Sequence, residues 1–421
     1  MQTRENKSAL KVTGLTSLTV LLLAAMNFVQ PKAAPSSERT KSGVKESGPS
    51  KGTVSRNLSI DSSQFVRTQG IRLVMGDSNR DVLLRGVVFV SNGPTPPEDK
   101  DYQGVADMHM NTVRLALEYN FFYEPNAPES YKDSGWKWLD AHVSLARKHQ
   151  VYLILQMFEI EGAQFVPTKN APFDYRTWED AQLQARFVRL WQAIAERYRD
   201  EPQIIGYSLF CEPVVSGTVE QWSDLANRTI RAIRQVDQYH IVFVERIYGE
   251  NRVRREMSGV DFPPERSFFL VEDDNAVYEF YFFERDEYTH QFAPWRADVQ
   301  KSVVYPDSKM NIVYKEQPND VGERFGLNKD YLKFYLRRQT EFGKRHNVPM
   351  FVWGFGLMRN CFDPGRGGAQ WLKDVTDLFA AEALSWTFFQ YRDSAFVGLS
   401  NNSEARQILS RAAEKQQETS L

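Results

Sequence analysis

The chain has 421 residues, 42% hydrophobic and 13% aromatic, enough for a large core and for one α/β barrel of about 250 residues or more. Its 52 Lys and Arg against 54 Asp and Glu give a near-neutral balance, so nothing calls for nucleic acid or an acidic polymer as partner. Two cysteines, Cys211 and Cys361, exclude a disulfide framework and a Cys-rich zinc site. No His, Asp or Glu cluster has metal-ligand spacing, and there is no glycine-rich phosphate loop, so neither a metal nor a cofactor is implied.

At the N-terminus, Arg4, Lys7 and Lys11 precede the apolar run VTGLTSLTVLLLAAMNFV, Val12 to Val29. A basic segment followed by such a run is an export signal, and its length is close to the ~20 residues that span a bilayer. No clean small-residue cleavage site follows in QPKAAP, and no cysteine follows for lipid attachment. Residues 1–34 are therefore expected to be either a cleaved signal or an uncleaved membrane anchor, with the rest exported to the periplasm, the cell surface or the medium. Residues 35–57, rich in Ser, Gly, Lys and Glu, cannot bury enough surface to offset their ordering entropy and read as a disordered linker. The folded unit is expected over 58–413. The last dozen residues, ending EKQQETSL, read as a frayed tail, with 414–421 outside the fold.

Inside that unit, apolar runs alternate with amphipathic stretches. The predicted strands are Val82–Val90, Thr112–Leu117, Val151–Phe158, Ile204–Phe210, Ile241–Glu245, Val277–Phe283, Pro349–Phe355 and Ala383–Tyr391. Helical patterns at Trp136–His149, Thr177–Arg199, Trp222–Asp237 and Lys329–His346 separate most of them. In the first, Trp138, Leu139, Val143, Leu145 and Ala146 recur at three- and four-residue spacing. Eight strands with crossover helices predict a closed (β/α)8 TIM barrel, whose chemistry sits at the C-terminal ends of the strands. Phe65–Met75, ahead of the first strand, reads as a short hairpin capping the barrel bottom. The segments after strands five and six, Arg252–Arg266 and Tyr288–Asn319, are long and are expected to shape whatever enters the mouth.

Those strand ends carry a resemblance. The segments GIRLVMGDSNRDVLLRGVVF, MNTVRLALEYNFF, VYLILQMFEIEG, IIGYSLFCEP, YEFYFFERDEYTHQ, VPMFVWGFG and LSWTFFQYRDSAF resemble, in order, glycoside hydrolase family 5, the retaining cellulases and mannanases. The resemblance implies an oligo- or polysaccharide as partner and two carboxylates about 5–5.5 Å apart. One is an acid/base in Asn-Glu-Pro on strand four. The other is a nucleophile in Glu-Phe-Gly on strand seven. Here strand four ends Cys211-Glu212-Pro213, keeping the acid/base as Glu212. Strand seven reads Trp353-Gly354-Phe355-Gly356, so the nucleophile position is Gly354, which cannot form a glycosyl-enzyme bond.

Other positions depart too. The family's Asp-x-His after strand three is Gln156-Met157-Phe158, and its His-x-Tyr after strand six is Tyr281-Phe282-Phe283. Arg114 and Trp386 remain family-like, Trp386 resembling the platform beneath the sugar ring. The substrate-binding candidates are thus Arg114, Cys211, Tyr281, Phe283 and Trp386. Cys211 also reads as a small buried hydrophobe, and Arg114 as a structural brace. Glu118, Glu159, Glu161, Glu245, Glu284 and Asp393 could supply a substitute carboxylate for an inverting mechanism. Three readings stay open: a carbohydrate-binding pseudoenzyme at the cell envelope, an active O-glycosyl hydrolase of altered mechanism, and a structural or interaction protein whose cleft is filled. The two cysteines are expected as free thiols, because strands four and seven lie across the barrel from each other.

Overall fold

The computed structural model describes residues 61–414 apart from 77, 79, 92, 164–172, 256–260, 297 and 393. The anchor or signal segment, the linker and residues 415–421 lie outside it. The predicted hairpin forms first, as β1 (Val66–Gln69) and β2 (Arg72–Met75). Eight strands then close a parallel barrel: β3 (Arg85–Phe89), β4 (Thr112–Glu118), β5 (Tyr152–Glu159), β6 (Ile204–Ser208), β7 (Ile241–Glu245), β10 (Ala276–Tyr281), β13 (Met350–Phe355) and β14 (Ser385–Phe388), with β14 pairing back onto β3. Two small hairpins interrupt this series and decorate the mouth: β8 (Gly249–Glu250) with β9 (Val253–Arg254), and β11 (Asp307–Tyr314) with β12 (Glu323–Leu327). The chain is therefore an α/β protein with the (β/α)8 architecture expected from its alternating pattern. Closure removes the sheet edges that an open sheet would expose.

Strand contacts are tight where the sequence places glycine. A Cβ on Gly86 would lie 1.7 Å from the Thr112 carbonyl oxygen, and one on Gly206 would lie 2.0 Å from that of Ile241. No side chain fits at either place, so these two glycines allow neighbouring strands to approach.

The outer layer includes α1 (Asp99–Ala106), α2 (Asp133–His149), α3 (Ala181–Tyr198), α4 (Val219–Arg234), α5 (Lys329–His346), α6 (Gly368–Ala381) and α7 (Ser403–Glu414). Helix α3 starts where the Asp180 carboxylate accepts the Gln182 and Leu183 N–H groups, and α5 starts where the Asn328 side chain accepts the Tyr331 N–H. These caps satisfy donors with no partner inside a helix. Helix α5 ends on Lys344, Arg345 and His346, cations that suit the negative end of its dipole. Its bounds are those expected, while α2 begins three residues earlier, at Asp133 rather than Trp136.

Helix α7 runs to Glu414, one residue beyond the expected end of the folded unit, and the rest of the expected tail lies outside the described residues. Its buried Ala405, Leu409 and Ala413 recur every four residues, but a stripe so thin in a polar segment leaves little sequence signal. In the β1–β2 hairpin region, Phe65 stacks on Tyr239 at 5.1 Å, and Asn275 Oδ1 accepts the Thr68 N–H at 2.9 Å. Tyr239 and Asn275 precede β7 and β10, so the hairpin covers the barrel bottom, away from the strand ends that carry chemistry.

Candidate active site

Inside the barrel, a charged cluster spans strands that do not touch as neighbours. Arg114 of β4 donates to both oxygens of Glu279 on β10, at 2.6 and 2.8 Å, and to Ser208 Oγ of β6 at 2.5 Å. Ser208 in turn donates to Glu279 Oε2 at 2.7 Å. Arg114 and Glu279 are both fully buried, and the guanidinium lies 5.6 Å from the Trp353 ring. Arg114 is thus a brace beneath the mouth, shut off from any sugar. Sequence reasoning misses Glu279, whose one signal is a lone acid within the apolar strand AVYEFY.

Above the cluster stands Glu212, four residues beyond the end of β6. Its φ is +49°, in the left-handed region that non-glycine residues rarely occupy. Glu245, the last residue of β7, holds the turn by accepting the Glu212 N–H on Oε2 at 2.9 Å. The other Glu245 oxygen accepts the Trp353 indole N–H. Burial pushes the Glu245 carboxyl well above the usual carboxylate range, and the carboxylates of Glu279 and Glu212 add to the rise. The Glu212 side chain is 21% exposed and faces Arg254 of β9 at 3.4 Å, an ion pair rather than a tight hydrogen bond. Arg254 sits in a surface hairpin, and nothing in its local pattern marks it.

Gly354 lies in β13 beside Tyr281. Its φ is not positive, and a Cβ there would meet Phe283 at 3.6 and 3.7 Å and Phe389 at 4.0 Å, ordinary van der Waals contact. Unlike Gly86 and Gly206, this glycine answers no backbone requirement. The place where a longer side chain would reach is taken up by rings. Tyr281 stacks on Tyr248 at 4.0 Å, and Phe283 meets Tyr281, His290, Phe389 and Phe396 at centroid distances of 5.6, 5.3, 6.2 and 5.7 Å. Trp353, Tyr281, Phe283 and Phe389 are 2–6% exposed. Each ring contact contributes about 0.5–1.5 kcal/mol beyond area burial, so swinging Phe283 out would forfeit several kcal/mol. Phe158, named with these replacements, is partly exposed at a bulge between β4 and β5.

Two expected contacts need correction. Trp386 is 1% exposed and packs edge-on against Phe355, which also meets Phe379 of α6. Side chains alternate along a strand, so Trp386 points into the helix layer while its neighbour Thr387 bonds the Trp353 carbonyl. Trp386 is no sugar platform. The ring on the inward side is Phe389, two residues past Thr387 and beside Gly354. Cys211 is 1% exposed, its N–H bonded to the Met157 carbonyl at 3.0 Å, and burial pushes its thiol far up. It is a packed core residue and not a substrate contact. Both Cys211 and Cys361 are free and buried, as expected.

Most of the substitute carboxylates are committed elsewhere. All four oxygens of Glu245 and Glu279 are taken, Glu284 is held by Arg255 at 3.2 Å and Tyr331 at 2.7 Å, and Glu161 is held by Arg186 at 2.9 Å. Asp393 lies outside the described residues. Glu118 and Glu159, paired at the ends of β4 and β5, remain. Burial, and then the Glu159 carboxylate, push Glu118 up to about 7. Burial also raises Glu159.

A closed parallel eight-stranded barrel with its titratable cluster at the C-terminal strand ends places the chain among the (β/α)8 barrel proteins. The family model for cellulase, glycosyl hydrolase family 5, matches residues 75–394, and the chain belongs to that family. It is 25% identical over 308 residues to Endoglucanase C of Acetivibrio thermocellus, covering 71% of this chain and 84% of that protein. To Cellodextrinase A of Ruminococcus flavefaciens it is 25% identical over 224 residues, 52% of this chain and 62% of that one. Among solved structures it shares the fold of endoglucanase Cel5A from Thermotoga maritima, with a TM-score of 0.59 and 18% identity over 78% of this chain and 96% of that one. It also shares the fold of the cellulose synthase subunit Z from Clostridioides difficile, with a TM-score of 0.58 and 17% identity over 79% of this chain and all of that one.

Proposed function

We propose that this family 5 barrel is a carbohydrate-binding protein of the cell envelope that has lost retaining hydrolysis. The observation that supports the loss of hydrolysis is the aromatic filling around Gly354, and carbohydrate binding rests on membership of family 5. A retaining enzyme needs an ionised carboxylate about 5–5.5 Å from its acid. The acids grouped with Glu212, namely Glu245 and Glu279, are buried with every oxygen already bonded. Glu212 could still protonate a leaving group, but neither Glu245 nor Glu279 is free to receive the sugar. The envelope location rests on the basic, apolar segment at residues 4–29. Among the described residues no helix is long and apolar enough to cross a membrane.

The test is calorimetric titration of the purified chain with cello- and manno-oligosaccharides, beside hydrolysis assays on the same preparations. Saccharide binding without turnover is expected. No binding to any of them would leave only the interaction-protein reading. For the location, the chain is expected in the envelope fraction, and recovery from the cytoplasm would contradict it.

One observation favours a second reading, hydrolysis by an altered mechanism. Glu118, pushed up to about 7 at the barrel mouth, is poised to exchange a proton near neutral pH beside Glu159. Turnover that disappears in Glu118→Gln or Glu159→Gln would establish this mechanism in place of the binding reading.

A further inference from the structure

A separate groove lies on the same rim but away from Glu212. About 570 Å³ of space opens between the loops after β10, β13 and β14, lined by Phe292, Met358, Arg359, Asn360, Asp363 and Arg366 among others. One of its lining residues, Met358, connects it to the aromatic filling. Met358, 4% exposed, bridges to Phe396, whose ring packs on Phe389 at 5.2 Å and on Phe283 at 5.7 Å. The rings that close the old nucleophile position thus reach this groove through Met358.

Its walls are built rather than loose. Phe292 is 44% exposed and has φ +61°, with its N–H bonded to the Val299 carbonyl at 2.9 Å. A bulky residue in that region costs about 1–3 kcal/mol and persists only where its surroundings enforce it. Here the enforced backbone turns an aromatic face toward solvent at the groove edge. Arg366 is fixed at its backbone: its carbonyl accepts the Tyr305 N–H at 2.9 Å and the Tyr288 hydroxyl at 3.1 Å, and its N–H bonds the Asp363 carbonyl at 3.0 Å. The groove therefore combines an exposed ring, the apolar Pro294, Met358 and Ala395, and the polar Asn360, Asp363, Arg359 and Arg366.

We propose that this rim groove binds a saccharide unit bearing a carboxylate, a uronic acid, with its ring on Phe292 and its carboxylate on Arg366. The inference rests on the carbohydrate-binding reading and adds the chemical class of the ligand. A flat, amphiphilic ring suits an aromatic face beside apolar side chains. A planar guanidinium fork matches a carboxylate in two parallel hydrogen bonds, whereas a neutral sugar offers only single hydroxyls. Overall charge is near neutral, so the preference is local to the groove.

The experiment compares cellotetraose with its counterpart oxidised to uronic acid at C6, titrated into the full chain by calorimetry at low and high salt. The uronic form is expected to bind at least tenfold more tightly at low salt, with the advantage shrinking as salt screens the guanidinium. Arg366→Ala should abolish that advantage, weakening the uronic form far more than the neutral one. Phe292→Ala should weaken both ligands. Thermal unfolding of each variant checks that the barrel remains folded. Equal binding of the two ligands, or an advantage that survives Arg366→Ala, would overturn the rim proposal while the broader reading stands. Failure of both ligands to bind would overturn that reading as well.

Discussion

Arg114 and Glu279 are fully buried, and each makes the other tolerable in the barrel interior. Removing one charge leaves its partner without compensation in a low-dielectric site, at a cost of about 3–5 kcal/mol, whereas removing both is far milder. Arg114→Met is therefore expected to lower unfolding free energy by about that amount, and Arg114→Met with Glu279→Leu to recover much of it. Urea titration of the two variants checks this, and simple additivity would show that the pair is not coupled. The sequence makes Arg114 visible through the family resemblance but not its partner, because pairing across a barrel has no sequence spacing. Trp386 misleads for a different reason. A tryptophan on a strand announces burial, and only the alternation of side chains, read from Thr387 outward, says which face it takes. That same parity, applied one step further, points to Phe389.

At the level of elements, the proposed loss of retaining chemistry rests on β13. The backbone at Gly354 would accept a side chain, since a Cβ meets Phe283 and Phe389 only at 3.6–4.0 Å. Gly354→Glu should therefore fold. Its carboxyl would enter a surround dominated by rings, so burial would raise its pKa and leave it poorly nucleophilic. The expected outcome is a stability loss of about 1–3 kcal/mol and no gain of hydrolysis. Recovery of cellobioside hydrolysis in this single variant would show that the mouth is open and that only the carboxylate was missing. Strand positions are legible within a few residues because eight apolar runs alternate with helical spacing. The surround of Gly354 is legible only as a set of large apolar replacements. Their joint packing depends on β10, β13 and β14 curving into one barrel, which no local pattern encodes.

For the whole molecule, closure of the barrel places Glu212, Gly354 and the rim groove on one face and the β1–β2 hairpin on the other. The fold follows from periodicity and the family from the strand ends, but activity depends on a few atoms at the mouth. The proposed loss of retaining hydrolysis requires that no carboxylate at the barrel mouth take a sugar covalently. The most direct measurement is the intact mass of the wild-type protein after incubation with an activated 2-deoxy-2-fluoro-β-cellobioside, which accumulates on retaining nucleophiles because the fluorine slows release of the bound sugar. An unchanged mass is the expected result. A stoichiometric increase by one fluorinated cellobiosyl unit, mapped to any carboxylate of the barrel mouth, would contradict it.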